Sequence, residues 1–327
     1  MTRSSTPPVL EIDALGVRLP DDRAARPVLD GVSLTVRPGE TVGLVGESGS
    51  GKSVACRSIL GLLPGGARTS GAVRVSGRDV LAMRRTELTA LRSREVAMVH
   101  QDPRASLNPL RRVGDYLTEG LRASGTPAAR AADLARELLD AVGIHDPRGA
   151  LRRYPHQFSG GMLQRVVIAA ALAAEPALLV ADEPTTALDV TTQAEVLALL
   201  GRLRAERGTG MLFVTHDLEL AAAVCDRVYV MYAGRIVESR SADELFDAPR
   251  HPYTAGLLAC TPRLEAGAAP PRPIPGRPVS LAEAPPGCAF AARCAHAVAR
   301  CTQEKPELAP HGAGLAACHR AEEGLEP

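Results

Sequence analysis

The 327-residue sequence predicts an α/β fold with a small cysteine-containing extension after about residue 240. Three observations carry that expectation. Short apolar strands alternate with helix-period segments from about residue 41 to residue 231. "PALLVADEP" (176–184) is a continuous apolar run of the kind found in a parallel sheet covered on both faces. Beyond residue 240 the composition changes, and 13 of the 26 prolines fall in 241–327.

The elements follow in order. "VSLTV" (32–36) alternates apolar and polar residues, and "TVGLVG" (41–46) is a short buried strand closing on glycine. Residues 52–62 turn helical; "GAVRVSG" (71–77) and "EVAMVH" (95–100) are strands. Residues 113–143 carry helical period, broken by "SGTP" at 124–127. Residues 161–174 form an Ala/Leu/Val helix that Pro176 ends. After the 176–184 strand come a helix at 191–207, a strand at 211–216, a helix at 217–224 and a strand at 227–231. "APPRPIPGRP" (269–278) is neither helix nor central strand.

Composition excludes several classes. The net charge of +1 offers no field for nucleic acid. No apolar run approaches the roughly 18 residues of a membrane span, and the N-terminal stretch does not read as a signal peptide. A cytoplasmic protein is expected, and clustered cysteines there point to metal or redox chemistry before disulfides.

"GESGSGKS" (46–53) fits G-x-x-x-x-G-K-[ST] between a strand and a helix. Gly46, Glu47, Ser48, Gly49, Ser50 and Gly51 form a loop whose backbone N–H groups can turn inward on phosphate oxygens. Lys52 then reaches the β- and γ-phosphates of a nucleotide, and Ser53 ligates Mg²⁺. Asp182, at the end of an apolar strand, suits the Mg²⁺ shell, and Glu183 beside it suits activation of a water. Ser159, Gly160 and Gly161 open a long helix as a second anion site. Taken alone, that trio is an N-cap followed by flexible glycines.

The ordered set of motifs resembles the ATP-binding cassette (ABC) ATPases: the phosphate loop, Gln101, "FSGGM", "LLVADE", "TTALD" (185–189) and His216 in "FVTHD". The resemblance implies a P-loop NTPase fold, with a RecA-like core and a helical subdomain at about 101–158, inside a nucleotide-binding domain spanning 1–240. It implies that Ser159, Gly160 and Gly161 contact ATP held by a partner subunit, so that two subunits enclose two ATPs. Gln101 would touch Mg²⁺ and the attacking water, Glu183 would be the catalytic base, His216 would hold the γ-phosphate, and Asp189 would lie at the dimer seam. Two departures stand out. No aromatic residue precedes Tyr116, so Leu19 or Val28 replaces the usual adenine-stacking ring by apolar contact, and Met162 stands where many relatives carry glutamine.

"HQDPRASLNPL" (100–110), "YPHQFSGGMLQRV" (154–166) and "HPYTAGLLACTP" (251–262) resemble ATPase subunits of dipeptide, oligopeptide and nickel importers. That narrower resemblance implies import of di- or oligopeptides with a second, different ATPase subunit in a heterodimer. It also implies two transmembrane permease subunits and an extracytoplasmic substrate-binding protein. The chain would sit at the cytoplasmic face of the membrane. Arg104, Arg111, Arg112, Arg152 and Arg153 would then face a partner or lipid headgroups, or form a solvated basic face.

Cys288, Cys294, Cys301 and Cys318, spaced C-x5-C-x6-C-x16-C, lie in the 241–327 extension. Four thiolates suit Zn²⁺ or an iron–sulfur cluster, and a metal would staple a segment with little core. Packing as free thiols is the remaining reading. The importer resemblance implies a [4Fe–4S] cluster, with Zn²⁺ as the alternative. Cys56, Cys225 and Cys260 read as core residues on helices, and His319 as a neighbour of the site. Two further readings stay open: the same transport role for nickel, an oligosaccharide or an opine-like cargo, and an ABC ATPase outside transport.

Overall fold

The computed structural model describes residues 6–21, 25–123, 125–186, 188–261 and 270–322. Ala187 of the 185–189 stretch, Pro262 of the 251–262 stretch and Ala269 of the proline-rich stretch lie outside them. The described residues carry twelve strands: β1 (Leu10–Leu19), β2 (Arg26–Val36), β3 (Thr41–Val45), β4 (Arg68–Val75), β5 (Arg78–Asp79), β6 (Val96–Val99), β7 (Leu178–Asp182), β8 (Gly210–Thr215), β9 (Arg227–Tyr232), β10 (Arg235–Ser241), β11 (Ala309–His311) and β12 (Gly314–Ala316). Two compact units emerge. The first comprises Met1–Val9, Val36–Glu40 and Ala82–Leu212; the second comprises Leu10–Thr35, Thr41–Leu81 and Phe213–Pro327.

In the first unit β6 and β7 run parallel, with Val96 opposite Leu178 and Val99 opposite Ala181. Helix Gly160–Leu172 buries Leu163, Val166, Val167, Ile168 and Leu172. Each such side chain contributes about 1.5–3 kcal/mol on burial. Helix Val113–Ala123 buries Val113, Leu117 and Leu121 at a spacing of four. It ends where Gly125 takes φ 97° and Thr126 N–H returns to the Leu121 carbonyl. Helix Ala128–Ala141 then starts behind Pro127. Helix Arg85–Arg94 was not read from the sequence. Its only buried side chain is Leu91, so it lacks an apolar stripe.

In the second unit β2, β1, β4 and β5 form a four-stranded sheet in that order. β3 runs parallel to β9, pairing Val42 with Arg227 and Val45 with Val230. All five β3 residues are buried, the signature of a strand covered on both faces. β9 turns back into β10, β10 pairs with β12, and β12 pairs with β11. The extension therefore adds two strands beyond β10. They escape sequence reading because each is three residues long, and Pro310 fits only an edge strand. Residues 270–278 contain neither helix nor strand, in line with their prolines.

Candidate functional site

In the second unit the 46–53 loop joins β3 to helix Lys52–Ile59. Its glycines are required by geometry. Gly51 caps the helix at φ 111°, and a Cβ there would lie 2.7 Å from Leu29 Cδ2. A Cβ on Gly46 would strike the Met231 carbonyl. Lys52 is buried, and its ammonium donates to the carbonyls of Gly46 (2.5 Å) and Glu47 (3.1 Å), which places it inside the curve of the loop. Ser50 Oγ is buried without a hydrogen-bond partner among the described residues, a polar atom suited to a phosphate oxygen. Ser53 is exposed in the first helical turn, and Ser48 and Gly49 are exposed at the loop tip. Loop, glycines and helix N-terminus together fit a nucleotide's phosphates.

In the first unit Asp182 ends β7, and Glu183 leaves the strand with φ 48°, a left-handed conformation uncommon for a non-glycine residue. Gln101 Nε2 donates to Glu183 Oε2 at 3.0 Å, and Thr186 Oγ1 donates to the same oxygen at 3.0 Å. Residues 82 positions apart thus share one carboxylate. Thr186 lies within the "TTALD" motif, whose sequence gives it no role of its own.

Ser159 caps helix Gly160–Leu172, accepting from Met162 N–H at 3.3 Å. Asp189 caps helix Val190–Arg207, and its carboxylate accepts from Thr192 N–H (3.0 Å) and Thr192 Oγ1 (2.8 Å). Those two bonds hold the Asp189 carboxyl below the usual range. Thr192 also explains Gly161, because a Cβ there would lie 2.5 Å from Thr192 Cγ2. The start of one helix and the cap of the other therefore meet at Thr192. His216 is exposed just past β8, where Thr215 Oγ1 accepts from Asp217 N–H and Asp217 caps the next helix.

A cavity of about 440 Å³ in the second unit is bounded in part by Arg18, Pro27, Leu29, Asp30, Arg68 and Arg235. Leu19 and Val28, the residues expected to replace an adenine-stacking ring, do not line it.

Cys288, Cys294, Cys301 and Cys318 line one small cavity with His296 and His319. Burial, and after it the neighbouring thiols, pushes the Cys318 thiol up to about 11. All seven cysteines are free of disulfides. Among the described residues, no group of three or more His, Cys, Asp or Glu side chains is arranged as a metal site. Cys56 is a buried helix residue as expected. Cys225 and Cys260 instead follow the last turns of their helices, and Cys260 is only half-buried, with Sγ 3.2 Å from the Arg272 carbonyl.

The residues that hold Glu47 carry no signal of that role in the sequence. Tyr253 Oη accepts from Glu47 N–H at 2.8 Å, and the Arg293 guanidinium donates to both Glu47 carboxylate oxygens at 2.6 and 3.0 Å. Tyr253 lay in the "HPY" stretch already singled out, and Arg293 immediately precedes Cys294, but nothing in either motif names Glu47 as the partner.

Residues 29–186 match the ABC transporter family, and residues 237–301 match the oligopeptide/dipeptide transporter C-terminal region. The oligopeptide transport ATP-binding protein OppD of Salmonella typhimurium is 43% identical over 97% of this chain and 95% of its own length. OppD of Escherichia coli is 45% identical over 90% and 88%. Among solved structures, cbiO1 from Clostridium perfringens, part of the ABC transporter complex cbiONQ, superposes with a TM-score of 0.64 at 26% identity, covering 73% of this chain and 90% of its own. An ATP-binding cassette solved as a dimer in a post-hydrolysis state with ADP and Pi also gives a TM-score of 0.64, at 27% identity over 71% and 98%. No described helix is long and apolar enough to cross a membrane. With a phosphate loop, an ordered set of ABC motifs and near full-length similarity to OppD proteins, the chain belongs to the ABC transporter ATP-binding proteins of the oligopeptide and dipeptide transport family.

Proposed function

We propose that this chain hydrolyses ATP to power import of di- or oligopeptides through a membrane permease. The observation that carries the reading is the 46–53 loop, with Lys52 drawn inside it and Gly51 capping the following helix, in a chain similar to OppD along almost its whole length. The loop's N–H groups and Lys52 bind the phosphates. Ser53, Gln101 and Asp182 would hold Mg²⁺, which supplies charge neutralisation on the transferred phosphoryl group. Glu183, held by Gln101 and Thr186, accepts the proton of the attacking water. His216 steadies the γ-phosphate. Ser159, Gly160 and Gly161 reach ATP on a second subunit, with Asp189 at the seam between the two.

The nucleotide-binding domain spans 1–240 with its helical subdomain at about 101–158, and the extension spans 241–327. A second ATPase subunit completes the heterodimer, two permease subunits hold it at the cytoplasmic membrane face, and a binding protein delivers cargo. OppD is an oligopeptide transport protein by name, which favours peptides over nickel or an oligosaccharide.

The four cysteines all line one cavity with no carboxylate in its lining, a donor set suited to a thiolate-held group, although among the described residues they are not drawn together as a single-ion site. Cys288, Cys294, Cys301 and Cys318 would hold a [4Fe–4S] cluster, with Zn²⁺ as the alternative, and ligation would displace the protons that burial favours. Iron with acid-labile sulfide in anaerobically purified protein supports the cluster; stoichiometric zinc without iron replaces it.

The test of the transport assembly is a tagged purification from gently solubilised membranes. Co-purification of two permease subunits and a second ATPase is expected. Recovery of the tagged chain wholly in the soluble fraction, alone, overturns the reading.

A further inference from the structure

The cysteine extension reaches the phosphate loop at Glu47. Glu47, directly after Gly46, is gripped twice: its N–H donates to Tyr253 Oη, and its carboxylate takes both arms of Arg293. Paired N–H donors matched to a carboxylate fix orientation as well as distance. Arg293 is itself immobilised. It is 6% exposed, its Nε donates to the Pro275 carbonyl at 2.8 Å, and its guanidinium lies over the Tyr232 and Phe290 rings at 5.8 and 5.7 Å. Tyr232, Tyr253 and Phe290 pack on one another, with Tyr232 and Tyr253 centroids 4.7 Å apart.

Arg293 ends a 3-10 turn, Ala291–Arg293, whose flanks are Cys288 and Cys294. Cys288 N–H bonds to the Cys301 carbonyl, Ala291 N–H to the Cys288 carbonyl, and Cys294 N–H to the Ala291 carbonyl. Phe290 and Ala291 line the cysteine cavity as well. The backbone that carries Arg293 is therefore tied by hydrogen bonds to the residues whose sulfurs line the cavity. The backbone carbonyl of Glu47 accepts from Lys52, so the residue gripped by Arg293 also touches the phosphate-binding ammonium.

We propose that Arg293 is a positioning residue for the nucleotide. It fixes Glu47, and through Glu47 the phosphate loop, so that the cysteine cavity and the ATP site are energetically coupled. This rests on reading 46–53 as the ATP phosphate loop. The two sites are 241 residues apart in sequence between Glu47 and Cys288, yet the coupling runs through side chains in direct contact. Coupling of this kind is reciprocal: what tightens one site tightens the other.

The test uses the full-length protein with Glu47→Gln and Arg293→Met, which keep side-chain size and remove the ion pair. Fluorescent-ATP binding, the KM and kcat of hydrolysis, and the rate at which the four thiols of the as-purified protein react with a maleimide are measured. Wild-type binding of ATP checks the phosphate-loop reading by itself. Both variants are expected to bind ATP about five-fold or more weakly, with the loss in KM rather than kcat. ATP is expected to slow thiol reaction in wild type and to leave it unchanged in Glu47→Gln at saturating nucleotide. Unaltered ATP affinity in a folded Glu47→Gln, or thiol rates indifferent to ATP in the wild type, overturns the proposal. If Arg293→Met does not fold, Glu47→Gln and Tyr253→Phe carry the same readouts.

Discussion

Gln101 and Glu183 share a 3.0 Å hydrogen bond, Nε2 to Oε2, across 82 residues of chain. The bond aims the carboxylate, and the left-handed φ of Glu183 turns it away from the line of β7. A strained backbone held by two donors to one oxygen is an expensive arrangement unless the carboxylate's direction matters.

Glu183→Gln is therefore expected to lower ATP hydrolysis at least about 100-fold, the span of a lost general base, with ATP affinity retained. Phosphate release and equilibrium nucleotide binding separate the two effects. Equal loss in both would assign Glu183 to binding.

Gly51→Ala places a Cβ 2.7 Å from Leu29 Cδ2 at a φ of 111°. The left-handed backbone disfavours any side chain there, and either Leu29 or the helix start must give way, so ATP binding is expected to weaken strongly while circular dichroism stays close to wild type. Titration of fluorescent ATP into both proteins reads this.

Ser159→Ala removes a long, weak cap of 3.3 Å. The melting temperature is expected to change by little, and ATP affinity of the isolated chain not at all. Hydrolysis in the assembled transporter is expected to fall, because the contact proposed for the serine is with nucleotide held by the other subunit. A large thermal shift would return Ser159 to a purely structural cap.

Stability is expected to drop with acidification through His251. Its fully buried imidazole is held down to about 3, against an ordinary 6.5, and its Nδ1 accepts from Tyr253 N–H. The folded state keeps it neutral while the unfolded chain binds a proton. Stability is therefore complete above about pH 6.5 and falls as pH drops toward 3. Between about pH 7.5 and pH 5.5 the loss from this residue is about 1.4 kcal/mol. Chemical denaturation at the two pH values, compared with His251→Asn, isolates it.

Much of this was legible in sequence because the chemistry is local. The 46–53 loop is contiguous, and its glycine spacing follows from backbone sterics at Gly46 and Gly51. β3 and β7 announce themselves as unbroken apolar runs. Helix Arg85–Arg94 and strands β11 and β12 were hidden, the first by burying a single side chain and the others by their length. The grip on Glu47 was illegible for a different reason. Tyr253 and Arg293 lie 206 and 246 residues away, and only the fold brings them to the loop. Thr192 likewise explains Gly161 through a contact that no spacing reveals.

The decisive measurement is uptake of a labelled tripeptide by cells lacking this chain, restored with either the wild type or Glu183→Gln. ATP-dependent uptake is expected to return with the wild type and to stay at the deletion level with Glu183→Gln, at equal protein abundance. Uptake that is unaffected by deletion, or restored in full by Glu183→Gln, would contradict ATP hydrolysis by this subunit as the source of power for peptide import.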